Sequence, residues 1–135
     1  MHARQAKTMC GLAAALALVM GVGGAYGYSV MRSQQRQTLA ASVTGGDPSK
    51  AAGHIQQFGC AGCHTIAGII GASGLVGPPL QQLRDRVFVG GRPNSADNLI
   101  EWIVNPRSVN PHSPMPVTGI SEQQARDVVA FLYAR

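Results

Sequence analysis

Cys60-Ala61-Gly62-Cys63-His64 constrains this 135-residue chain more than any other feature. C-x-x-C-H is the spacing by which a polypeptide attaches haem c. Two thiols on one helical turn can add across the two vinyl groups of the porphyrin, and the adjacent imidazole then falls beneath the iron as its proximal ligand. Rival uses of the pair are weaker. Structural zinc needs four protein ligands, and the sequence holds neither a second C-x-x-C nor an H-x3-H. A thioredoxin-like redox pair calls for a preceding strand in a βαβ setting, whereas the residues before Cys60 read as a helix.

A haem iron takes a sixth ligand, and after His64 the chain holds one methionine, Met115, within Ser113-Pro114-Met115-Pro116. Each flanking proline fixes its own φ and keeps its predecessor out of the α region, so the thioether sits on a stiff, extended loop. His112, three residues earlier, is the rival ligand and would make a bis-histidine haem. A third reading makes Met115 a gap-filling core residue. His54, on the helix before the motif, reads as a solvated residue.

The hydrophobic spacing is helical. Asp47 reads as an N-cap with Pro48 at the first helical position, and Ala51, Ile55 and Phe58 keep one face into the haem motif. Asn94 or Ser95 caps a second helix with Leu99, Trp102 and Ile103 on one side, ended at Asn105 by Pro106. Ser121 and Gln124 form a capping box before Ala125, Val128, Val129, Leu132 and Tyr133. Between Leu80 and Val89 the pattern is ambiguous, and no segment reads as a run of strands. A domain of about 90 residues buries only about 60% of its unfolded surface, so a porphyrin disc would supply much of the apolar filling. An aromatic content of 5% agrees with that.

From about Gly46 to Arg135 these residues resemble the single-haem class I c-type cytochromes. The resemblance implies an all-α fold of three to four helices around one covalent haem c. In that family a Gly-Pro-x-Leu stretch follows the haem motif and its proline carbonyl accepts the proximal imidazole Nδ1–H. Gly77-Pro78-Pro79-Leu80 is similar, which assigns the acceptor to Pro78, a contact that fixes tautomer and ring orientation. The stretch from Asn98 to Pro106 and the Met115 loop are similar to the family's third helix and methionine loop. There Trp102 either donates to a propionate or packs with its tip exposed. Where the family often has a glycine at the crossing of the terminal helices, this chain has Ala51 and Ala52. The Gly- and Ile-rich segment from Thr65 to Val76 is longer than in small members, either covering the haem or serving as a docking surface.

Residues 1–32 form a separate region. From Cys10 to Met31 there are 22 residues, 16 apolar and five glycines, with no charge between Lys7 and Arg32. A helix of that length rises about 33 Å, enough to cross the hydrocarbon core. The alternative is a cleaved signal peptide ending near Val22-Gly23-Gly24 or Ala25-Tyr26-Gly27. The uncharged stretch exceeds a typical signal core, which favours a retained transmembrane helix. Both readings export the haem domain, residues 47–135. Residues 33–46 hold three glutamines, two serines and two threonines and end in Gly45-Gly46. They read as a flexible linker, or as a helix continuing the span over Gln34 to Ala41.

The net charge of +5 is misleading. Four of the basic residues lie before residue 37, and the haem domain carries seven basic against six acidic residues. A nucleic-acid surface is unsupported by so small an excess. Arg84, Arg86 and Arg92 either neutralise propionates or form a solvated stretch.

An iron held by both His64 and Met115 has no open site, which points away from catalysis and toward taking and giving single electrons. Methionine ligation raises the potential. The resemblance implies a protein of the bacterial inner membrane, its haem domain in the periplasm. It further implies redox partners of the respiratory chain, from a quinol-oxidising complex toward a terminal oxidase, as free carrier or as complex subunit. The alternative is a haem enzyme or gas-binding sensor in which Met115 is displaced.

Overall fold

A computed structural model describes residues 2–135, with side chains from residue 15 onward. The chain divides into two compact units, residues 1–34 and residues 35–135. Helix α1 covers His2–Thr44. It is followed by α2 (Ala51–Gln57), α3 (Cys60–Cys63) and a 3-10 turn (Leu83–Asp85). The strands β1 (Phe88–Val89) and β2 (Arg92–Pro93) come next, then α4 (Ala96–Val104), α5 (Pro106–Val109) and α6 (Glu122–Tyr133).

The first unit is helical, with Leu16, Leu18, Val19, Met20 and Val22 all exposed. Arg32 lays its guanidinium over the Tyr28 ring at 5.4 Å. Among the described residues no helix is long and apolar enough to cross a membrane. The first five side chains of the expected span, residues 10–14, with Cys10 among them, lie outside the described residues.

In the second unit, residues 35–44 continue as helix, the second of the two readings of that stretch. Gln, Leu and Ala favour helix, and Ala40 and Thr44 are buried. Gly45 ends the helix in the left-handed region, φ +69°, and its N–H reaches the Ala41 carbonyl at 2.8 Å. That is the glycine-terminated αL close of a helix. Arg126 Nη1 donates to the Thr44 carbonyl at 2.9 Å and Gln123 Nε2 to the Gly45 carbonyl at 3.2 Å. Helix α6 thus satisfies carbonyls that α1 leaves open at its end.

The core forms where α6 packs on α2 and α4. Ala51 and Ile55 on α2, Leu99, Ile100 and Ile103 on α4, and Ala125, Val128, Val129 and Leu132 on α6 are all buried. The crossing needs no glycine, because Ala51 is small enough to be wholly buried. Beside it, Asp127 on α6 is 3% exposed and fully partnered. Its Oδ1 accepts the Asp47 backbone N–H at 2.7 Å and its Oδ2 lies 3.2 Å from His54 Nε2. His54 is therefore half-buried and paired, contrary to the solvated role read from sequence; a carboxylate 73 residues away in the chain was not legible there. Asp47 does not cap α2. Its carboxylate accepts the Ser49 N–H and hydroxyl in a turn before the helix, which holds its pKa below the usual carboxylate value.

Ser95 caps α4 by accepting the Asn98 N–H, and Ser121 with Gln124 forms a complete capping box on α6. Pro106 stops α4 and opens the single-turn α5. The region between Leu80 and Pro93 differs from the all-helical expectation, since it holds a 3-10 turn and a two-stranded hairpin. The turn of that hairpin is Gly90-Gly91, both at positive φ, a geometry that two-residue hairpin loops favour.

Gly46 is wedged against the Arg126 backbone, where a Cβ would overlap the carbonyl, while Gly53 faces open space on α2. Gly46→Ala should therefore lower stability by about 1–3 kcal/mol, and Gly53→Ala should raise it by about 0.5–1 kcal/mol. Thermal denaturation of the two holoprotein variants should show midpoints moving in opposite directions.

Candidate functional site

The motif stands on one turn. Gly59, at φ +71°, breaks the chain after α2 and starts α3, so Cys60 and Cys63 fall at the two ends of a single helical turn. His64 leaves that turn with extended backbone, φ −115° and ψ 143°. Both thiols are free and half-buried, and burial pushes the Cys60 thiol above its usual pKa.

Residues 65–80 then fold back on the motif. Thr65 Oγ1 donates to the Gly74 carbonyl at 3.0 Å. Gly77 N–H reaches the Cys63 carbonyl at 2.8 Å, and Leu80 N–H reaches the Thr65 carbonyl at 2.9 Å. Gln56 on α2 fastens the tip by donating to the Ile70 carbonyl at 2.8 Å. Ile66, Ile69 and Ala72 are buried, whereas Ile70, Leu75 and Val76 are exposed. Gly74 touches the Gly62-Cys63 backbone and Gly77 touches the His64 ring so closely that neither position has room for a Cβ.

This return brings His64 Nδ1 to 2.8 Å from the Pro78 carbonyl. A carbonyl only accepts, so Nδ1 is the protonated nitrogen, and Nε2 is left as the atom that can ligate a metal.

Met115 is half-buried. Its N–H donates to the hydroxyl of the buried Ser113 at 3.2 Å, and Ser113 N–H in turn meets the Asn110 carbonyl at 2.9 Å. His112 is exposed, with its backbone N–H on Asn110 Oδ1 at 3.0 Å. Trp102 is half-buried and its ring lies against Gly90, which has no room for a side chain. Arg92 pairs with Glu101 at 2.7 Å. Arg86 donates to the Pro79 carbonyl and, at 3.3 Å, to the Gln81 carbonyl. Arg84 is exposed.

Sequence reasoning passed over Asn94 and Tyr133 as more than cap and core. Asn94 Nδ2 donates to the Leu83 carbonyl at 2.7 Å and the Arg86 carbonyl at 2.8 Å. Its Oδ1 accepts the Tyr133 hydroxyl at 2.7 Å. An asparagine just before a helix was the signal, but it was compatible with capping alone.

The residues fit haem c. Two thiols one turn apart, an imidazole with its tautomer fixed and no space behind it, and a half-buried thioether make a suitable donor set. Phe58, Ala61, Leu80, Val89 and Trp102 add a partly buried apolar rim against the core. Among the described residues no other group of metal-binding side chains occurs.

A family model for cytochrome c matches residues 48–134. No curated protein and no solved structure matches the chain. With the matched region spanning the haem motif, its return loop and the helices that carry them, the chain belongs to the cytochrome c family of electron-transferring haem proteins.

Proposed function

We propose that this protein is a membrane-tethered, single-haem electron carrier of the class I type. It passes electrons from a quinol-oxidising complex toward a terminal oxidase, on the periplasmic side of a bacterial inner membrane. The observation that carries the reading is the His64–Pro78 contact of 2.8 Å. It fixes the orientation of the imidazole and leaves Nε2 as the nitrogen available to a metal. Haem c supplies a one-electron iron couple when bound.

The protein's residues do the rest. Cys60 and Cys63 fasten the ring covalently, and their single occurrence as C-x-x-C-H supports one haem. Met115 would supply the second protein ligand to the iron, because it is half-buried on a loop stiffened by Pro114 and Pro116 while His112 is exposed. Arg92 already has Glu101 as its partner and Arg86 holds backbone carbonyls, which favours structural duties for both over neutralising propionates. Trp102 keeps one side of the rim apolar.

The tether is supported by the uncharged stretch from Thr8 to Met31 and by the exposed apolar side chains of Leu16 to Val22. The haem domain's near balance of charge supports docking on protein partners over binding to a polyanion.

Met115→Ala should lower the reduction potential and admit carbon monoxide to the reduced iron; potentiometry and absorption spectra check both, and unchanged values would move the ligand role to His112. Gly77→Ala should push the His64 ring off Pro78 and alter the spectrum of the matured protein, whereas Gly53→Ala should leave it intact. Truncation to residues 35–135 behind a cleavable signal should release a soluble, haem-loaded domain. Truncation to residues 45–135 should melt lower by about 2–5 kcal/mol of lost packing and helix-end contacts.

A further inference from the structure

Pro78 and Pro79 have no backbone N–H, so neither can be anchored by donating a hydrogen bond. The segment is pinned at its two ends, by Gly77 N–H on Cys63 and Leu80 N–H on Thr65, and between those points by the carbonyls of the two prolines. The Pro78 carbonyl is taken by His64 and the Pro79 carbonyl by Arg86. Whatever fixes Arg86 therefore helps to fix the residue next to the acceptor on which the proximal imidazole rests.

Arg86 is itself held through its backbone carbonyl by Asn94. Asn94 grips the segment at three points, with Nδ2 on the carbonyls of Leu83 and Arg86 and its own N–H on the Val87 carbonyl at 2.9 Å. The two donations settle the amide orientation, so Oδ1 must be the atom facing Tyr133. Tyr133, buried on α6, donates its hydroxyl to that oxygen. Burial pushes the phenol pKa up, which keeps the proton on the donor.

We propose that Tyr133 and Asn94 are positioning residues for the proximal ligand: through Arg86 they hold the Pro78-Pro79 segment, and with it the hydrogen bond to His64 Nδ1. The strength of that bond sets how strongly the imidazole donates to a metal. A looser carbonyl weakens donation, favours the reduced iron and exposes the Nδ1 proton. The last helix of the domain thus bears on the proximal imidazole through Asn94 and Arg86.

The inference rests on His64 being the proximal ligand, and the experiment separates the two. Full-length holoprotein is prepared as wild type, Tyr133→Phe, Asn94→Asp and, as a destabilised control on the same helix, Leu132→Val. Hydrogen exchange of the His64 Nδ1 proton in the reduced protein is followed by nuclear magnetic resonance, beside the reduction potential and the thermal midpoint. Tyr133→Phe removes one hydrogen bond, and should speed exchange and shift the redox equilibrium toward the reduced form by up to about fivefold. Asn94→Asp keeps the acceptor but loses both donations, and should move both readouts the same way. Leu132→Val should lower the midpoint while leaving exchange and potential at wild-type values. Variants at Tyr133 and Asn94 that melt lower yet match wild type in exchange and potential would overturn the inference alone. A wild-type spectrum with no ligated His64 would overturn it together with the redox reading.

Discussion

The contact between His64 Nδ1 and the Pro78 carbonyl is the constraint on which the site depends, and it is made by sixteen residues of loop that close on themselves. A histidine following a C-x-x-C turn is free to rotate about two side-chain bonds. Here Gly77 fills the space behind the ring and the Pro78 carbonyl accepts its Nδ1–H, so the free imidazole already has the shape and tautomer of a ligand. Loop ordering costs entropy residue by residue. That cost is offset by burial of Ile66, Ile69 and Ala72 and by backbone bonds back to Cys63 and Thr65.

The second organising element is α6. It packs on α2 and α4, supplies Arg126 and Gln123 to the end of α1, and buries a carboxylate, Asp127, that draws in both the Asp47 N–H and His54. A carboxylate in that position would be costly without partners. With them it joins three separate stretches of chain at one point.

Much of this was legible in the sequence, and the reasons are local. C-x-x-C-H, Ser95, Pro106 and the Ser121–Gln124 box act within a few residues of themselves, and their spacing names the turn or cap they form. The haem site's acceptor at Pro78 was reached by resemblance, because nothing about a Gly-Pro-Pro-Leu stretch says which side chain its carbonyl will meet. What stayed hidden is long-range. The His54–Asp127 pair spans 73 positions and the Tyr133–Asn94 bond 39, and neither partner advertises the other. Residues 33–44 left two readings open: glutamine, serine and threonine suit a flexible chain as well as a helix, and the burial of Ala40 and Thr44 is something composition does not record.

Because α6 follows in the chain every element it packs on, the domain cannot close until its last helix has been made. During synthesis Cys60, Cys63 and His64 emerge ahead of the helix that seals the fold. Both sulfurs are then presented on an open polypeptide, the state in which an attachment apparatus can reach them. The topology thereby leaves a time window for cofactor loading that ends when Tyr133 docks.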